Sequence, residues 1–116
     1  MNVSIDISLA LEQVAGNEPL AKELFGMLLS ELPELNGKLA QAITECNAKA
    51  MWDHAHKIYG ATAYCGVPAL RTAAQDMEVA IKAMDEHRIQ QQYAELNREI
   101  GLLTTIGPDW LKKCWL

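Results

Sequence analysis

The residues best equipped for chemistry lie between positions 53 and 60, where the chain reads DHAHKIYG. His54 and His56 stand two apart, Lys57 follows directly, and glycines sit at 60 and 66. A neutral imidazole can act as nucleophile, base or metal ligand near neutral pH, because its ordinary pKa is about 6.5. Two histidines four apart on a helix face the same way and can share a metal; two apart, they do not. With residues placed about 100° apart on a helix wheel, Met51, Ala55, Ile58, Thr62 and Cys65 fall within roughly 80° and define the core side. His54 lies about 60° from the centre of that arc, on the flank of the core, and His56 about 140° away, on the exposed side. The two imidazoles point about 160° apart. That argues against an HxH metal site, and against a metal-binding bundle assembled from His54, His56, Cys65 or His87.

Trp52, Tyr59, Gly60 and Ala63 surround His56 on its face. An interior glycine costs a helix about 1 kcal/mol against alanine. Gly60 therefore suggests a close approach, either by something large at His56 or by a neighbouring helix. Further on, Arg71, Gln75, Glu78 and Lys82 are spaced four, three and four apart and form one polar stripe beside a core face. Antiparallel packing through the turn at Gly66 and Pro68 would bring part of this stripe alongside His56. The plainer alternative is a solvated surface on which His56 is incidental.

These residues need helices to position them, and helical spacing runs through the whole chain. No segment shows sustained two-residue alternation with β-branched residues that would frame a hairpin turn. Asp6 can cap a short first helix with Ile7, Ala10, Leu11 and Val14 on one face and Gly16 as its stop. Asn17 can cap the next, with Pro19 in its first turn. Apolar residues then recur at Leu20, Leu24, Leu28, Leu32, Leu35, Leu39, Ile43 and Cys46, through Pro33. This predicts one kinked helix or two helices meeting near Glu31 and Leu32. Asn47 caps the helix holding both histidines, Gly66 ends it, and Pro68 opens a helix with a core stripe of Leu70, Ala73, Met77, Ala80 and Met84. A last helix carries Ile89, Tyr93, Leu96, Ile100 and Leu103, with Gly107 and Pro108 as its stop. The fold class is all-α: an antiparallel four-helix bundle with a short extra N-terminal helix. It forms a single domain over residues 1–116, with a core of about 5–106 and a tail at 107–116.

The chain has 116 residues, 50% of them hydrophobic, and a formal net charge of -5. That is enough apolar content for a packed core and too much for disorder. The acidic balance disfavours nucleic acid or an anionic membrane as partner. No apolar run is long enough to span a bilayer, and the N-terminus lacks the pattern of a secretory signal. Three cysteines without CxxC spacing argue for a reducing compartment rather than a disulfide framework or structural zinc. The chain is expected to be cytoplasmic and monomeric, with Trp110 and Trp115 in an exposed tail that could associate. No Walker loop, kinase glycine loop or acidic metal cluster is present, so nucleotide and metal are not expected as cofactors. A Ser/His/Asp or Cys/His arrangement has no support beyond residue counts.

The run His56-Lys57-Ile58-Tyr59-Gly60-Ala61, with Gly66, Leu70 and Glu78, resembles the histidine-containing phosphotransfer (HPt) domain. That family's motif is a histidine, a glycine four residues on, and a second glycine ten residues after the histidine. AKELFGMLLSELPELNGKLAQAI resembles the preceding helical region, and the likeness extends over residues 5–106. HKIYGATAYCGVP and LAKELFGMLLSELPEL look most like the C-terminal HPt domain of hybrid sensor kinases of the BarA/GacS type, which tilts the reading toward a piece of such a kinase. The resemblance implies a phosphorelay. His56 would accept a phosphoryl group from one receiver-domain aspartate and pass it to a response-regulator aspartate, without autonomous kinase activity. Mg²⁺ would belong to the receiver partner. Many members carry lysine three residues after the histidine, where this chain has Tyr59. Lys57 and Lys82 are the candidate replacements, and Glu78 matches a position that can accept the imidazole N–H. The phosphate environment is thus Lys57, Tyr59, Gly60, Glu78 and Lys82, and the docking rim Trp52, Tyr59 and Ala63. The alternative is a non-catalytic helical adaptor that binds a partner without being phosphorylated.

Overall fold

Side-chain caps set where the helices begin. Asp6 Oδ1 accepts the Leu9 N–H at 3.0 Å, Asn17 Oδ1 the Leu20 N–H at 3.1 Å, and Asn47 Oδ1 the Ala50 N–H at 3.1 Å. Each satisfies an amide that a helix start leaves unpaired. These caps open α1 (Ile7–Gln13), α2 (Glu18–Thr44) and α3 (Ala48–Ala61). Pro68 opens α4 (Pro68–Lys82), and α5 spans Glu86–Lys113. The computed structural model describes residues 4–113, with side chains through 111. Among the described residues all regular structure is helical.

Short turns force successive helices to run antiparallel, and α5 closes the ring by packing on α2. Position on one helix falls as it rises on the other: Gly26 faces Leu111, Leu29 faces Gly107, and Asn36 bonds both Tyr93 and Asn97. With α2 at 27 residues and α5 at 28, about 1.5 Å of rise per residue accounts for the 43 Å long axis. The helices α3 and α4, with 14 and 15 residues, cover one half of that length. The other half is shared by the start of α2, the end of α5 and α1.

Of the two readings at Pro33 the single helix is the one that forms, and the stop expected at Gly107 and Pro108 does not act as one. Pro33 lies within α2, which runs through it as one helix, and α5 continues through Gly107 and Pro108. A helix-interior proline costs about 3 kcal/mol, whereas each fully buried leucine contributes roughly 1.5–3 kcal/mol. Leu28 and Leu32 before Pro33 and Leu39 after it are all buried, so packing holds both sides of the helix in line. Both proline rings are exposed. A Cβ at Gly107 would stand 2.6 Å from Leu29 Cδ2, so the absent side chain lets α5 close on α2 there. Trp110 is accordingly half-buried against the core rather than part of an exposed tail. Trp115 and Cys114 lie outside the described residues.

Gly66 likewise does not end α3. The helix stops at Ala61, and residues 62–66 form a turn held by successive N–H bonds to carbonyls three back, from Thr62 to Tyr59 and Ala63 to Gly60. Because this turn keeps winding in the helical sense, Thr62 and Cys65 still reach the core, as the wheel requires. Gly66 itself sits at φ +64 and ties α1 down. Its carbonyl accepts the Asp6 N–H at 2.8 Å and its N–H donates to Gln13 Oε1 at 3.0 Å. Met84, expected in the α4 stripe, lies past the helix end at φ +54 and is exposed. Leu20 and Cys46 are also exposed, while Phe25 and Ala21 are fully buried. The core face of α2 is therefore rotated by one residue at its start, where α1 and the end of α5 cover it.

No described helix is long and apolar enough to cross a membrane. Burial pushes the Cys65 thiol from its ordinary 9.0 to about 11, with the Glu31 charge adding to the rise. Its thiolate fraction at pH 8 is thus about a hundredfold below that of an ordinary thiol. Iodoacetamide at pH 8 should alkylate exposed Cys46 at least a hundredfold faster than Cys65, and both alike in denaturant, as read by peptide mapping. Equal labelling in the folded protein would mean that the 62–66 turn opens readily. Above pH 9 the unfolded chain ionises this thiol while the folded chain does not, so stability declines between pH 9 and about 11.

Candidate functional site

The outer ridge of α3 lies against the outer ridge of α4, and their side chains meet as three rungs. The middle rung joins His56 to Glu78: Nδ1 stands 2.9 Å from Oε1. The His56 side chain is 54% exposed and that of Glu78 only 14%, so the carboxylate sits beneath a ring that opens to solvent. One turn earlier on α3 and later on α4, Lys82 Nζ lies 5.7 Å from the centroid of the Trp52 ring. One turn later on α3 and two turns earlier on α4, the Arg71 guanidinium lies 4.1 Å from the Tyr59 ring centroid, and its Nη2 donates to Tyr59 Oη at 2.9 Å. An anionic rung is flanked by two cationic ones.

Along α3 the three rings also contact each other. Trp52 stacks on His56 at 4.6 Å with 11° between the planes, and Tyr59 lies 6.5 Å from His56 at 28°. This packing follows from spacing, since residues four before and three after His56 share its face. An ionised carboxylate only accepts hydrogen bonds, so Nδ1 carries the proton in the His56–Glu78 pair. The lone pair of Nε2 is then the nucleophilic one, on an exposed ring whose orientation is fixed at its other nitrogen.

The remaining expected residues distribute as follows. Gly60 is exposed, and a Cβ there would meet nothing within 4 Å, so no neighbouring helix explains the glycine; the space in front of it is open. Ala63 is half-buried in the turn after α3, and Lys57 is exposed and makes no ion pair among the described residues. His54 is half-buried on the core flank, with its Nδ1 buried and unpartnered. Among the described residues no three His, Cys, Asp or Glu side chains stand close enough to hold a metal ion. Gln75, expected in the polar stripe, is exposed. Arg71 is the residue that sequence reasoning placed in the stripe but not in the site. Its four-three-four spacing with Glu78 was the available signal; its partner Tyr59, across the gap between helices, was not.

The sequence model of the Hpt domain matches residues 23–105. The chain is 32% identical to the signal transduction histidine-protein kinase BarA of Escherichia coli over 100 residues, 85% of this chain and 11% of that protein. It is 33% identical to the sensor histidine kinase GacS of Pseudomonas protegens over 99 residues, again 85% of this chain and 11% of that protein. The chain thus spans about a tenth of the length of these relatives. The crystal structure of the HPT domain of a sensor hybrid histidine kinase from Shewanella superposes with a TM-score of 0.72 at 30% identity, covering 89% of this chain and 92% of that one. A bundle of this topology, with an exposed and oriented histidine on its third helix and a family match across most of its length, belongs to the Hpt domain family.

Proposed function

We propose that this chain relays phosphoryl groups between receiver-domain aspartates, with His56 Nε2 as the acceptor. The observation that carries this reading is the 2.9 Å contact of Nδ1 with Glu78, which leaves Nε2 as the open nucleophile. The Nε2 lone pair attacks the phosphorus of an aspartyl phosphate. The P–O bond to that aspartate breaks, and its electron pair stays on the carboxylate. The product is a phosphoimidazolium whose Nδ1–H remains on Glu78. A second aspartate then attacks phosphorus, and the N–P electrons return to Nε2. Glu78 stabilises the positive ring that forms between the two steps.

In this reading the chain is an intermediate without kinase activity of its own, and Mg²⁺ is supplied by the receiver. The partners are receiver domains of a hybrid sensor kinase and of a response regulator, in the cytoplasm. Trp52, Tyr59 and Ala63 form the docking rim, and the open space at Gly60 admits the receiver. The test is transfer of label from a phosphorylated receiver domain to the chain, with the adduct acid-labile, alkali-stable and mapped to His56. Receiver binding without any label would instead support the adaptor.

Gly60→Ala separates stability from docking. It should stabilise α3 by about 1 kcal/mol and raise the melting temperature, while slowing transfer because a methyl group enters the approach. A stabilised variant with undiminished transfer would show that receivers dock without using this space.

A further inference from the structure

We propose that Arg71, acting through the Tyr59 hydroxyl, positions the phosphoryl group on His56 and supplies the charge that balances it; this rests on the relay reading above. A phosphoryl group brings about two negative charges and three strong acceptor oxygens. At His56 it would arrive beside the Glu78 carboxylate, so the site needs a cation and donors on the same face. Three cations are near in sequence or space. Lys57 lies about 100° round the helix from His56. Lys82 is exposed, and it sits over the Trp52 ring at 5.7 Å as a flexible, well-hydrated point charge. Arg71 alone is both half-buried and fixed by several bonds.

Those bonds determine what Tyr59 can do. Arg71 Nη1 donates to Thr62 Oγ1 at 3.1 Å and to the Tyr59 carbonyl at 3.4 Å, while Nη2 donates to Tyr59 Oη at 2.9 Å. The Thr62 hydroxyl donates to the same Tyr59 carbonyl at 2.6 Å. A guanidinium only donates, so Tyr59 Oη is the acceptor and its own proton is left for another acceptor. Among the described residues the phenol donates that proton to no partner. The phenol stands one turn from His56, with 6.5 Å between ring centroids. A phosphoryl group on Nε2 and one hydrogen bond span such a gap. The guanidinium over the ring polarises the phenol O–H toward donation and keeps it from rotating away. Tyr59 would touch the transferred group, and Arg71 is the positioning residue behind it.

The experiment measures transfer from a phosphorylated receiver domain to wild type, Tyr59→Phe, Arg71→Gln, the double variant, and Tyr59→Lys combined with Arg71→Gln. Tyr59→Phe keeps the ring under the guanidinium and removes only the hydroxyl. Tyr59→Phe and Arg71→Gln should each lower the maximal transfer rate about tenfold to a hundredfold, a loss well beyond any change in half-saturation by the receiver, whose docking uses the Tyr59 ring that Phe retains. The Phe/Gln double variant should be no slower than the slower single variant, because the two residues act as one unit. Placing a lysine at 59 should recover at least tenfold over Arg71→Gln alone, since the cation then reaches the phosphoryl group directly. Wild-type rates in Tyr59→Phe, independent multiplicative losses, or no recovery with the lysine would each overturn the proposal. Thermal melts identify a misfolded Arg71→Gln, in which case Tyr59→Phe decides. Absence of label on wild type would overturn the relay reading itself, and is distinguishable because it precedes any comparison of variants.

Discussion

His56→Gln takes up no phosphoryl group from a phosphorylated receiver, falling below wild type by more than about a thousandfold, whereas His54→Gln is labelled within a few-fold of wild type. Glutamine at 56 keeps a donor for Glu78 and so preserves the middle rung, but its amide nitrogen has no nucleophilic lone pair. The substitution therefore removes the chemistry and leaves the ladder. His54 lies on the flank of the core, roughly opposite His56, with its Nδ1 buried; replacing it disturbs packing more than reactivity. Label retained in His56→Gln and lost in His54→Gln would place the reactive face on the wrong side of α3. No label on any variant or on wild type, with several receivers tried, would favour the adaptor.

Gly66→Ala should destabilise the fold by about 2–4 kcal/mol and lower the melting temperature by roughly 10 °C or more. Two effects combine. At φ +64 an alanine meets the penalty of left-handed backbone, about 1 kcal/mol. Its Cβ would also meet the Asp6 carbonyl, and Ala10 Cβ at 2.6 Å. Much of what it meets is α1 backbone, which cannot swing aside as a flexible side chain would. To make room, α1 must move, losing the bonds of Gly66 to Asp6 and Gln13 and uncovering Ile5 and Ala10. Gly16→Ala is the internal control. Its φ of +80 carries the same backbone penalty, but nothing stands within 4 Å of its Cβ, so about 1 kcal/mol is expected. Urea denaturation of both variants isolates the steric part as their difference. Equal losses would mean that α1 yields without cost.

Much of this was legible in the sequence for reasons that are local. A cap needs one side chain and an amide three residues on, so Asp6, Asn17 and Asn47 could be read directly. Facing along one helix needs only the 100° step, which put Met51, Ala55 and Ile58 inward and His56 outward. What could not be read depends on neighbours distant in sequence. Pro33 left one helix or two open, and Pro108 read as a stop, because tertiary packing outweighs one broken turn and a single helix does not display that balance. Gly107 looks like a stop until Leu29 is found against it. Leu20 gave way to Ala21 and Phe25 because more than one element covers that end of α2. In the site, the pairing of His56 with Glu78 could be expected from two stripes brought together. The pairing of Tyr59 with Arg71 depends on the axial offset between α3 and α4, which neither stripe encodes.

One feature of the middle rung governs traffic. His56 offers a single unengaged nitrogen, with Trp52 stacked on the ring at 4.6 Å and Tyr59 one turn away at 6.5 Å. Two receiver domains cannot occupy that approach at once. Under the relay reading, the donor must leave before the acceptor docks, and the kinetics are ping-pong. An unphosphorylated receiver in excess then competes with the donor for the empty histidine. Throughput rises and later falls as either receiver becomes abundant, so the ratio of the two, and not the amount of either alone, sets how fast a signal crosses this domain.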